Sequence, residues 1–183
     1  MGTCASNTEA LAPAPRAVDL LDVGTLSVDE RELGQRVMPD PAGIVSGVFY
    51  TKTANETFVP GKTLVLRATG GRDLAESFTA NALAPRELEG VKVVANGASL
   101  DVTWDVAVDE KSAGDRIAID VLGPQNRLVT RCTTTDVGRT SVPFAADEAQ
   151  IVVHRVRVEP FSARGVDRGE IRFDLARAVT FRR

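Results

Sequence analysis

The chain has little of what most catalytic and metal chemistry uses. Among its 183 residues there is one histidine, His154, and there are two cysteines, Cys4 and Cys132. No Cys-x-x-Cys, His-Glu-x-x-His or Walker A pattern occurs, which removes the usual structural-zinc, zinc-protease and phosphate-loop readings. No G-x-S-x-G elbow offers a nucleophile to a triad built on His154. Aromatic residues make up 5% of the chain, so platforms for stacking sugars or bases are few. No apolar run approaches the roughly 20 residues that a membrane helix needs. The net charge is −3, and without a global basic field nucleic acid is not an expected partner.

What is present suits a soluble core. Hydrophobic residues are 43% and charged residues 26%, an ordinary globular balance, and the length suits one well-buried domain. Residues 16–183 are expected to form that domain. Residues 1–15 contain ASNTEALAPAP, whose polar, Ala- and Pro-rich composition reads as a flexible tether.

Period-two alternation dominates the body of the chain. SLDVTWD (99–105) places Leu100, Val102 and Trp104 on one face, and DRIAIDVLG (115–123) places Ile117, Ile119 and Val121 opposite Arg116, Ala118 and Asp120. VKVVANG (91–97) and LVTRCTTTDVGRTSVPF (128–144) continue the pattern. Near the end, Val152, His154, Val156 and Val158 alternate with Arg155 and Arg157, and Ile171, Phe173 and Leu175 alternate with Arg172 and Asp174. Earlier, GIVSGVFYTKT (43–53) and TFVPGKTLVLRATGG (57–71) read as a hairpin, while residues 29–43 read as a connection punctuated by Pro39, Asp40, Pro41 and Gly43. DLAESFTANALAP (73–85) reads as an extended strand ending at Pro85 rather than a short helix. Such spacing predicts an all-β fold, an antiparallel sandwich of roughly seven to nine strands, immunoglobulin-like in architecture. A sandwich does not by itself imply an activity.

Polar positions divide between structural and binding roles. Trp104 carries an N–H that needs a partner when buried, and Asp136-Val-Gly138 suits a turn with a capping carboxylate and a left-handed glycine. His154, spaced with valines, reads as a satisfied, partly buried imidazole. The basic residues number eight against four acidic from Ala149 onward (+4) and fourteen against twenty-one before it (−7). On strands these charges are expected on solvated faces. Asp101, Asp105, Asp109, Glu110 and Asp115 cluster after the Trp strand, and Asp105, Asp109 and Asp115 are the candidate ligands for calcium in a calcium- or carbohydrate-binding loop. They lack the order of an EF-hand. A hydrolase using His154 or paired carboxylates is a further alternative, although a glycosidase needs its two carboxylates across a cleft.

The cysteines sit in unlike settings and are not expected to pair. Cys132 reads as a small buried hydrophobe in a strand. Cys4, ahead of the tether, resembles the lipid-modified cysteine of a mature bacterial lipoprotein, although Gly2-Thr3 before it fits that pattern imperfectly. Gly2 and Ser6 also match the short myristoylation pattern, and an unmodified terminus is the third reading.

With Trp104, Cys132, Asp136, Gly138 and Pro143 in order, residues 64–144 resemble uncharacterised envelope lipoproteins of myxobacteria and relatives. The resemblance implies a secreted, lipid-anchored β-sandwich and assigns no functional residue. The expectation is therefore a non-enzymatic structural or protein-interaction module of the bacterial envelope, periplasmic or on the outer surface. Its membrane contact would come only through an anchor at Cys4. Its recognition loops would be residues 105–114 and 164–169, or an exposed strand edge.

Overall fold

A computed structural model describes residues 2–6, 18–38, 45–51, 58–109 and 111–183 of the chain. Pro39, Asp40, Pro41, Gly43 and Glu110 lie outside these residues, as does most of the expected tether. The expected all-β, sandwich-like fold is what forms. Its strands are β1 (Thr3–Ser6), β2 (Val18–Leu20), β3 (Leu26–Val28), β4 (Arg31–Glu32), β5 (Gly34–Met38), β6 (Val45–Thr51), β7 (Thr63–Ala68) and β8 (Phe78–Leu83), followed by β9 (Lys92–Asn96), β10 (Ser99–Thr103), β11 (Arg116–Leu122), β12 (Leu128–Thr135), β13 (Arg139–Pro143), β14 (Glu148–Ala163) and β15 (Val166–Arg182). Contacts gather into two compact units. The first is Met1–Leu11, Pro85–Val158 and Arg172–Arg183; the second is Ala12–Ala84 and Glu159–Ile171.

In the first unit, a sheet of order β1-β12-β11-β14-β15 and a sheet of order β13-β10-β9 share one apolar interior. Leu100, Val102, Val142, Ile117, Ile119, Val121, Ile151 and Val153 are fully buried there. The alternation seen in the sequence sets this up, because every second side chain on each strand faces the opposite sheet. β9 and β10 form a hairpin closed at Gly97, whose φ of +59° only glycine adopts without a Cβ penalty. Phe144 and Phe181 close the core edge to face, with ring centroids 6.1 Å apart.

Two expectations fail in this unit. Thr3–Ser6 is not tether but strand β1, antiparallel to β12 with Cys4 directly opposite Cys132. On β14 the inward row is Ile151, Val153, Arg155 and Arg157, so two arginines expected on a solvated face are buried. Val152 and His154 face outward instead, half-buried. Apolar residues occupy both faces of IVVHRVRV, so alternation alone does not choose the inner one.

The second unit holds a sheet of order β2-β6-β5 and a sheet of order β4-β3-β7-β8. β6 pairs with β2 and β5, and β7 with β3 and β8, so the hairpin expected between residues 43–53 and 57–71 is not made. The Pro60-Gly61 turn does form, with Lys62 N donating to Val59 O at 3.1 Å. It simply leads β7 to other partners. Part of the expected connection over residues 29–43 is strand, β4 and β5. The Asp29-Glu30 turn between β3 and β4 has positive φ at both residues, 48° and 67°. Asp29 holds it by donating its N–H to Val65 O at 3.0 Å and accepting from Val65 N at 2.8 Å through Oδ1. β8 bears out the extended reading of residues 73–85.

Candidate functional site

The chemistry-bearing side chains of the first unit converge beneath the loop of residues 105–115. Trp104 is 4% exposed, and its Nε1 donates to Asp136 Oδ1 at 2.6 Å. Asp136 follows β12 in the turn that Gly138 completes at φ +80°, where an added Cβ would crowd Val106. The other carboxylate oxygen of Asp136 lies 2.9 Å from Arg155 Nε, an ion pair set off the line of a good hydrogen bond. Arg155 Nη1 donates to the carbonyls of Arg86 and Glu87, and Nη2 to that of Asp105. One buried guanidinium thus ties two loops to β14. A charge this dry is tolerated because three backbone carbonyls accept from its Nη atoms and the Asp136 carboxylate lies beside it.

A second buried pair lies two residues further along β14. Arg157 donates from Nε and Nη2 to the two oxygens of Asp115, and from Nη2 to Asp109 at 3.1 Å. Burial acts to neutralise Arg157, but Asp115 and then Asp109 outweigh it and hold the guanidinium charged. Burial likewise pushes the Asp109 carboxyl up, yet the Lys111 amide and Arg157 more than offset this and leave it below the ordinary range. Because the folded value is depressed, Asp109 contributes stability above the unfolded value of about 4, and loses it as pH falls through the folded one. Urea midpoints are therefore expected to drop below about pH 4, less steeply in Asp109→Asn. Identical acid slopes in the two proteins would count against this.

Of the three candidate calcium ligands, the fold brings two together. Asp109 and Asp115 share Arg157, so a cation already sits between them. Asp105 turns its carboxylate against Gly90, in the only space where that residue could carry a Cβ. Among the described residues no three His, Cys, Asp or Glu side chains gather as a metal site would require. Asp101 accepts from Asn96 Nδ2 at 2.8 Å, away from this group.

Held from below, the loop shows an apolar upper side. Val106, Val108 and Val137 are 46%, 79% and 58% exposed. A shallow depression of about 370 Å³ beside Val106 and Val108 is bounded by Arg86, Glu87 and Glu89. The valines were legible only as strand-like residues. Nothing in VAVDE separates an exposed loop valine from a core one.

His154 lies on the outer face of the larger sheet. Its Nδ1 is 2.9 Å from Asp174 and its Nε2 is 3.6 Å from Asp120, which also accepts two hydrogen bonds from Arg131. A triad would need the nitrogen opposite the carboxylate to face a hydroxyl. Here it faces a second carboxylate.

Residues 164–169, the other expected recognition loop, are braced within the second unit. Gly165 packs on Leu74, Arg164 pairs with Glu76 at 3.3 Å, and Gly169 lies flat on Phe161, which stacks on Phe78.

Cys4 and Cys132 form a disulfide across β1 and β12, correcting the expectation that they stay apart. A sulfur in that bond has no valence left for a lipid thioether, so the bridged and the lipid-modified forms of Cys4 exclude one another. The expectation erred by treating sequence settings as spatial ones; 128 residues separate the pair. No protein-family model, curated protein or solved structure matches the chain.

Proposed function

We propose that this chain is a non-enzymatic, exported β-sandwich that recognises a protein partner through its 105–114 loop. The first unit is immunoglobulin-like in architecture on this reading, its eight described strands lying in two sheets. The observation that carries the proposal is the pairing of exposed Val106 and Val108 with a buried Arg155 and Arg157 that fix the loop bearing them. Interfaces centre on apolar anchors presented by a rigid support, since little ordering entropy is then lost on binding. The Cys4–Cys132 bond supports an oxidising compartment outside the cytosol. The resemblance of residues 64–144 to envelope lipoproteins favours the bacterial envelope, here without an anchor at Cys4.

Site-specific photo-cross-linking tests the reading. A cross-linking residue at position 108 is expected to give one saturable adduct with envelope or secreted proteins of the source cell. Val106→Asp with Val108→Asp should abolish competition by excess unlabelled chain while shifting stability by less than about 0.5 kcal/mol, as surface changes do. Equal labelling from position 94, where Val94 is 62% exposed on β9, would reduce the valines to ordinary surface.

A further inference from the structure

The N-terminal strand has an unusual attachment. β1 belongs to the first unit, yet the second unit's Ala12–Ala84 is built before the chain returns to the first at Pro85. What secures β1 is its four-residue ladder to β12, Thr3 to Thr133 through Ser6 to Thr130, and the disulfide in the middle of it. Cys132 is part of the hydrophobic core, whereas Thr3, Cys4 and Ala5 of β1 are exposed. β1 also stands at one end of the strand order. Its departure would leave the core closed and uncover only the β12 edge, Thr130–Thr133, whose free backbone groups favour acceptance of another strand.

We propose that two copies of the chain exchange β1 reciprocally, each Thr3–Ser6 pairing with the other copy's β12 and each Cys4 bonding the other copy's Cys132. The segment that fits this edge in register, with a cysteine opposite Cys132, is β1 itself, so a second copy presents the same four pairs. Reciprocal exchange closes as a two-fold dimer and leaves no edge over. Cys4 is exposed and Cys132 buried, so a small thiolate attacks from the Cys4 side. It forms a mixed disulfide on Cys4 and releases the Cys132 thiolate. The other copy's Cys132 thiolate then attacks the Cys4 sulfur and expels the small thiolate. Two bonds within copies become two between them, with no net oxidation and the thiol regenerated.

The test mixes equal amounts of unlabelled and isotopically heavy full-length chain in a reduced and oxidised glutathione buffer, followed by alkylation, non-reducing electrophoresis and mass spectrometry. The expected result is a covalent dimer that grows with protein concentration and contains peptides joining light Cys4 to heavy Cys132. Cys4→Ser should lose the covalent dimer and keep a reversible, concentration-dependent one by light scattering. Linked peptides that remain wholly light or wholly heavy in folded protein overturn the proposal. So do dimers joined only as Cys4 to Cys4 or Cys132 to Cys132, a Cys4→Ser variant that stays monomeric at every concentration, or a β12 edge occupied instead by a foreign strand.

Discussion

Replacing Asp115 by alanine is expected to destabilise the first unit by about 3–5 kcal/mol, the range for removing one partner of a buried ion pair. The Asp115 side chain is fully buried and that of Arg157 is 2% exposed, so the change strands a guanidinium with no water to take the place of the lost carboxylate. Asp109 remains, but it lies nearer solvent, with its two oxygens 3.1 and 3.2 Å from Nη2. It compensates in part. Urea unfolding followed by Trp104 fluorescence measures the effect, because Trp104 sits in the same core. The companion Asp115→Leu with Arg157→Met removes both charges together and should recover most of the loss, as buried pairs seldom outperform well-packed apolar residues of similar size. A single-variant loss below about 1 kcal/mol would mean that water reaches Arg157 and that this pair behaves like a surface one.

Such a pair was not visible in the sequence, and the reason is physical. β11 was legible because Ile117, Ile119 and Val121 leave one face for charge and the other for the core. β14 gives no such separation: Ile151, Val152 and Val153 are consecutive, and the arginines that follow default to solvent unless an acceptor is known to await them. Those acceptors, Asp115 and Asp136, are contributed from 42 and 19 positions away in the chain, a long-range matter that local pattern does not encode. Trp104 and the Asp136-Val-Gly138 turn could be read locally, one as a buried N–H in need of an acceptor and the other as a turn able to supply it. Their pairing with each other and with Arg155 could not.

The candidate loop follows the same division. Its place after the Trp strand, and its acidic character, were apparent from residues 105–115. Its support was not: the acidic residues could be read as candidate cation ligands, but not as partners of Arg157. The hairpin expected between residues 43–53 and 57–71 failed for a related reason. Turn chemistry at Pro60-Gly61 determines that the chain reverses, whereas partner choice depends on which strands bury their apolar faces against it.

Reducing the Cys4–Cys132 bond is expected to cost about 3–5 kcal/mol of stability, through the denatured chain more than through lost contacts. The bond closes a loop of 128 residues, for which the chain-entropy relation gives about 5 kcal/mol, with real bridges often delivering somewhat less. The measurement compares urea midpoints with and without reductant, on a chain first shown by alkylation to contain no free thiol. Cys4→Ser isolates the bridge, since Cys4 is exposed and outside the core, and should lose most of the same stability. Cys132→Ser should lose more, because it also places a hydroxyl beside Ile119 at a position 2% exposed. The order matters more than the totals. If Cys4→Ser matches the oxidised wild type while Cys132→Ser falls, the stabilisation comes from core packing at Cys132 and the strand β1 is held by its ladder alone.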